Sequence, residues 1–298
     1  MDQRAVVTAG TGGIGLETAM GLAARGLAVT VVGRDAERGA SAIERITAVA
    51  TGTAPRFVAA DLASLDQVRA LAAQLADEGP LTVLVNNVGA MFAQRQQTVD
   101  GIEASFAVNH LSPYLLTELL LDQLRAGGPS RIVNVTSGAI KVAKRTFDAV
   151  EPPGGYYGFH WYGRAKLANL AYTLYLAERL RGTGITVFAA DPGGAATDMT
   201  DGTMTSPEIV SPGLRLLWPL VRRTFERSTA GPASVAARPS VLAATDASLD
   251  GKTGLLIGPQ AHPVPAFRAT TDPKVIDNVL RLSRQLAPLH GGPGVQPT

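Results

Sequence analysis

The sequence predicts an α/β fold: one domain over residues 1–287, built as a doubly wound, mostly parallel sheet. Three observations predict it. Short β-branched runs alternate with helical-period segments, the strands are continuously apolar, and a glycine-rich turn follows the first strand. Continuous apolar strands separated by helices mark a parallel sheet covered on both faces, the Rossmann-type arrangement.

In order, AVVTA enters a strand at once and passes through TAGTGGIGLETA into a helix over 14–25. AVTVV and a helix over 36–50 follow, with Asp35 at the N-cap position. RFVAA, a helix over 65–78, LTVLVNN, a helix over 102–125, RIVNVTS, a helix over 161–181 and ITVFAA continue the alternation. Two long interruptions, 138–160 and 198–230, follow strand ends, where open α/β sheets bind ligands, so both are expected to wall a pocket. The Gly- and Pro-rich tail PLHGGPGVQPT, residues 288–298, is expected to be disordered.

The chain of 298 residues is 46% hydrophobic, enough for a full core. Twenty-seven basic against 25 acidic residues give a net charge of +2, too balanced for nucleic-acid binding. With no cysteine, disulfides, thiolate metal sites and cysteine nucleophiles are excluded, which fits a cytoplasmic location. Histidines 110, 160, 262 and 290 show no ligand spacing, so no metal is expected. No leader peptide and no bilayer-spanning run are expected either. LRLLWPLV, residues 214–221, could touch a membrane surface, but a lid over an apolar pocket is the favoured use.

The stretch HWYGRAKLANLAY places Tyr162 and Lys166 four positions apart, on one helix face. A cation holding the phenolate about 4 kcal/mol more favourably would bring the tyrosine pKa from about 10 to near neutrality, making it a general acid or base. Alone, the pair equally reads as a snorkelling lysine beside a half-buried ring. The glycine-rich turn lets backbone N–H groups and a helix N-terminus approach a pyrophosphate, although in isolation it is also an ordinary tight turn.

The ordered motifs TAGTGGIG, DLAS, NNVG, VNHL, VNVTSGA, YGRAK and DPGGAAT resemble the short-chain dehydrogenase/reductase family over roughly the first 200 residues. NHLSPYLLTELLL, YGRAKLANLAYTLYLAERL and VIDNVLRLSRQLAPL resemble its retinol-dehydrogenase-like branch. The resemblance implies an oxidoreductase with a catalytic tetrad of Asn109, Ser137, Tyr162 and Lys166. Tyr162 would protonate the carbonyl oxygen, Ser137 would donate a hydrogen bond to it, Lys166 would lower the tyrosine pKa and hold the nicotinamide ribose, and Asn109 would anchor a water. Implied cofactor contacts are Thr8, Gly10, Gly13, Ile14 and Gly15 in the turn, Asp61 and Leu62 after the third strand, and Asn87 and Gly89. Tyr162 and Lys166 also count among them, as do Pro192, Gly193 and Thr197.

The family's first fingerprint glycine falls on Ala9, where a positive φ costs of order 1 kcal/mol and a negative φ nothing. The position of the family's ribose-diol acid falls on Gly33, and Arg34 beside it suits a 2′-phosphate, so NADP(H) is favoured over NAD(H). Tyr156, Tyr157, Phe159, Trp161, Met199, Leu216 and Trp218 could wall an apolar pocket for a bulky carbonyl or alcohol substrate such as a retinoid, steroid or polyketide-like ketone, or be ordinary packing residues. Redox-neutral chemistry and a non-catalytic NADP(H) sensor are the alternatives. A homo-oligomer is compatible with the family.

Overall fold

A strand whose residues are apolar on both faces needs a helical layer on each side, and the computed structural model of the chain has that form. It describes residues 3–194, 206–229 and 231–290. Among these, β1 (Arg4–Thr8), β2 (Ala28–Gly33), β3 (Arg56–Ala59), β4 (Val83–Asn86), β5 (Ser130–Val135), β6 (Ile185–Ala190), β7 (Leu255–Ile257) and β8 (Pro263–Val264) form one sheet. Its order is β3-β2-β1-β4-β5-β6-β7-β8. Every pairing is parallel except β7 with β8. The order reverses between β1 and β4, which opens a crevice at the carboxyl ends of those strands.

On one face α1 (Gly13–Ala23) and α2 (Ala36–Thr47) pack with Val7, Val31, Val85 and Phe188. The other face carries the larger core, with Val6, Val32, Leu84 and Ile132 under α3 (Leu65–Asp77) and the helices that follow β4 and β5. Local chemistry sets the helix starts. Asp35 accepts from the Arg38 amide at 3.0 Å at the head of α2, as expected, and Ser64 accepts from the Gln67 amide at 3.4 Å at the head of α3.

The helix expected over 102–125 is instead a chain of pieces. A short α4 (Ala104–Phe106) runs into a π-helical turn over Ala107–Leu111, then α5 (Ser112–Leu119), and a break at Leu120 precedes α6 (Leu121–Ala126). The helix expected over 161–181 starts earlier: α7 spans Gly158–Arg179, so HWYG lies within its first turns. Beyond β6 come α8 (Pro212–Arg215), α9 (Trp218–Thr229), α10 (Ala233–Ala236), α11 (Arg238–Thr245) and α12 (Pro273–Leu286). Of the expected disordered tail, residues 291–298 lie outside the described residues, as do 198–205 and 230 in the second interruption.

Candidate active site

At the end of β1 the chain turns tightly into α1. Ala9 has φ 49 and Gly13 φ 51, so the methyl at position 9 sits in the left-handed region where glycine is favoured. The turn is tied to the end of β4. Thr8 Oγ1 accepts from the amides of Asn87 and Val88 at 3.0 and 3.1 Å, and Asn87 Nδ2 donates to the carbonyls of Thr8 and Ala9. A Cβ on Gly15 would run into the Ala9 carbonyl and that same Asn87 amide, and a Cβ on Gly10 would lie 2.7 Å from Val31.

Unlike α2 and α3, α1 has no side-chain cap and no acidic residue in its first turn. Its leading N–H groups, with Gly13, Ile14 and Gly15 among them, are therefore left for an anion, and the helix dipole favours one. The residues present thus fit a dinucleotide pyrophosphate. At the end of β2 a Cβ on Gly33 would lie 2.7 Å from Thr11 Cγ2, which leaves no room for an acidic side chain, while Arg34 is exposed. Arg38 is a residue that the motif reading missed: its Nη2 reaches within 2.6 Å of where a Gly12 Cβ would stand. The signal was a second arginine in the first turn of the helix that follows Arg34. Asp61 Oδ1 accepts from the Ala63 amide at 3.0 Å, and Leu62 is a buried core residue.

The four tetrad positions come from three places: the π-helical turn, the end of β5 and α7. Asn109 lies inside the π-helical turn, a distortion often found at functional sites. Its Nδ2 donates to the carbonyls of Ala90 and Ser105 at 2.8 Å each, and its Oδ1 accepts from the Ala90 amide at 3.0 Å. A Cβ on Gly89 would stand 3.4 Å from Lys166 Nζ and 3.5 Å from Asn109 Oδ1, which puts those residues around one point. Ser137 leaves the end of β5 and caps the 3-10 turn Gly138–Val142 through the Ala139 amide.

Lys166 is fully buried, donating to the carbonyls of Val88 and Val135 at 2.9 and 3.0 Å, with Nζ 5.9 Å from the Tyr162 ring centre. Burial pushes its pKa down to about 7. Tyr162 is also buried, and burial pushes its pKa up to about 12, against a lowering by the hydrogen bond from Ser137 and a raising by Asp191. The expected lowering of the phenol by the lysine is thus corrected. Desolvation dominates both groups, and the lysine donates to two carbonyls.

Around Tyr162 an apolar cluster gathers Met91, Ala139, Ile209 and Val210, with Phe159, Leu214, Trp218, Val221 and Phe225 packed against it. Phe159 stacks edgewise on Phe225 at 4.8 Å. Met91, which follows NNVG, was absent from the expected walls. Of the candidate wall residues, one lies outside this cluster and one takes the packing role that was the other expectation. Leu216 is 86% exposed and points away, and Trp161 is buried against Tyr156 at 5.0 Å as packing. Tyr156 in turn donates to the Phe92 carbonyl, and Tyr157 lies under the Arg215 guanidinium.

The wall segment itself is held by two arginines. Arg164, buried on α7, donates to the carbonyls of Thr146 and Ala149 at 3.0 Å each and stacks on Phe106 and Phe147. From α12, Arg281 donates to the carbonyls of Phe147 and Asp148.

Gly193 has φ 69, and its amide donates to Asp191. With Pro192 it borders a cavity of about 440 Å³ shared with Pro232, Arg238 and Pro259. A larger cavity of about 600 Å³ lies at the opposite ends of the strands, lined by Arg4, Arg56 and Glu78, and contains none of these residues. Thr197 and Met199 fall outside the described residues. No helix among the described residues is long and apolar enough to cross a membrane.

A doubly wound sheet with an uncapped helix at a glycine turn, and a buried Tyr-Lys helix beside a strand-end serine, defines a nicotinamide-dinucleotide oxidoreductase. The chain belongs to the short-chain dehydrogenase family, which matches residues 3–207. It is similar to retinol dehydrogenase 12 of Mus musculus, 38% identical over 76% of this chain and 69% of that protein. Retinol dehydrogenase 11 of Mus musculus is 40% identical over 66% of this chain and 62% of its own length, so the chain spans less than two thirds of that relative. A short chain dehydrogenase from Burkholderia cenocepacia J2315, solved in complex with NADP, has a TM-score of 0.66 and 27% identity, covering 86% of this chain and 95% of that one.

Proposed function

We propose that this oxidoreductase interconverts a bulky, largely apolar ketone or aldehyde and its alcohol, with NADP(H) as the preferred cofactor and Tyr162 as the proton donor or acceptor. The observation that carries the reading is the buried Tyr162 hydroxyl, which meets Ser137 inside an apolar cluster with Lys166 one turn along the same helix. When bound, the nicotinamide supplies or accepts hydride. Everything else falls to the chain. With its pKa raised to about 12, Tyr162 keeps its proton at neutral pH and is ready to deliver it to a substrate oxygen gaining negative charge. Ser137 supplies a second hydrogen bond to that oxygen, and Met91, Phe159 and Trp218 exclude water.

For the cofactor, the lack of space for an acid at Gly33 together with Arg34 and Arg38 supports a 2′-phosphate, and the relative solved with NADP points the same way. The apolar lining and the printed names of the retinol dehydrogenase relatives support a long apolar alcohol or its carbonyl as substrate. The test is Tyr162→Phe, assayed for NADPH binding by fluorescence and for net NADPH consumption with a panel of apolar ketones and aldehydes. The expected result is retained binding with turnover lowered about 10²- to 10⁴-fold, the usual worth of a positioned proton donor. Wild-type turnover in the variant would remove Tyr162 from the mechanism.

A further inference from the structure

Segment 214–228 contains four arginines and one acidic residue, Glu226, among leucines. Folded, it has two unlike faces. Leu214, Trp218, Val221 and Phe225, spaced i, i+4, i+7, i+11, pack onto the cluster around Tyr162. The opposite side is exposed among the described residues. Leu216 is 86% exposed, Leu217 56% and Leu220 64%, and Arg223 follows on the same outer line.

A neighbouring segment is tied to the start of this one. His160 Nδ1 donates to the Val142 carbonyl at 2.7 Å, and its Nε2 accepts from the Ser211 amide at 3.2 Å. This bridge sets the Gly138–Val142 turn, with Val142 39% exposed and Lys141 beside it, against the start of α8. The exposed leucines, with exposed Arg222 and Arg223 on the same segment, form an apolar patch with basic neighbours.

We propose that this face docks on the surface of a lipid bilayer bearing anionic headgroups. Charge complementarity selects that occupant. The segment is basic, with Arg215, Arg222, Arg223 and Arg227 against Glu226, which pairs with Arg222 at 2.7 Å. Two copies meeting face to face would oppose their own arginines, whereas anionic lipid neutralises them while the leucines enter the boundary between headgroups and acyl chains. Docked this way, the helix that roofs Tyr162 lies against the phase in which apolar substrates dissolve.

The experiment is co-sedimentation of the full chain with phosphatidylcholine vesicles, with and without phosphatidylserine, at low and high salt. The expected result is sedimentation only with phosphatidylserine present, weakened by salt. Arg222→Gln/Arg223→Gln lowers the affinity about fivefold per charge removed, and Leu216→Ser/Leu217→Ser/Leu220→Ser, at solvent-exposed positions, abolishes binding at an unchanged unfolding midpoint. Absence of sedimentation with phosphatidylserine vesicles, or binding undiminished in both variants, overturns the proposal. A dimer in analytical ultracentrifugation that the leucine variant dissolves also overturns it, in favour of a second copy. Vesicle binding needs no turnover, so its failure leaves the oxidoreductase reading standing.

Discussion

Lys166→Met isolates the consequence of putting an ammonium group in the protein interior. Burial pushes the Lys166 pKa from 10.5 down to about 7. Between those values the unfolded chain holds a proton that the folded chain has released, so wild-type stability rises with pH through this window. At about 1.4 kcal/mol for each pKa unit, the whole swing is about 5 kcal/mol, of which about 2 kcal/mol falls between roughly pH 7 and 9. Tyr162, raised to about 12 from 10, titrates above that window. Methionine has a similar volume and no charge, and its substitution leaves the Val88 and Val135 carbonyls without their donor, at about 1–2 kcal/mol each, independent of pH. The variant is therefore about as stable as wild type near pH 7 and less stable by about pH 9. Urea unfolding followed by circular dichroism across this range measures the difference. Wild-type and variant curves running parallel in pH would refute the claim that desolvation governs Lys166.

Three further outcomes follow from the same geometry. Ala9→Gly relieves a left-handed alanine and stabilises by about 0.5 kcal/mol net of the freer unfolded chain, whereas Ala9→Val destabilises by about 2 kcal/mol; equal unfolding midpoints for the two would disprove the positive φ. His110 is fully buried with its pKa lowered to about 3 from 6.5, so stability is lost as pH falls from about 6.5 toward 3, and His110→Phe flattens that acid slope in urea midpoints measured near pH 7 and 5. Gly33→Asp alone weakens NADPH without improving NADH because Thr11 fills the space, and adding Thr11→Ala restores NADH binding by about tenfold or more; a single substitution that already binds NADH well contradicts the contact at 2.7 Å.

The features legible in the sequence are those with a period or an ordered motif. The strands through β6 announce themselves as β-branched runs, and the residues of the site stand at recognisable places along them. β7 and β8 are too short to carry a pattern, with three and two residues. The π-helical turn around Asn109 is a change of hydrogen-bonding partner that leaves apolar spacing nearly unaltered. The pKa of Tyr162 moves the opposite way from the pair reading because burial is summed over every neighbouring element, which two residues on one helix do not report. Leu216 shows the same limit: composition marks it apolar, but only the packing of α9 shows that its neighbours Trp218 and Phe225 face inward and it does not.

The paired arginines on residues 146–149 separate two kinds of change open to this protein. Arg164 and Arg281 grip residues 146–149 by their backbone carbonyls, atoms that every substitution leaves in place, and Phe147 is the one side chain there that Arg164 stacks upon. Thr146, Asp148 and Ala149 can therefore vary while their backbone stays anchored to α7 and α12. Mutation can redecorate that loop without disturbing the helix that carries Tyr162 and Lys166, because what fixes the loop to the helix is main chain.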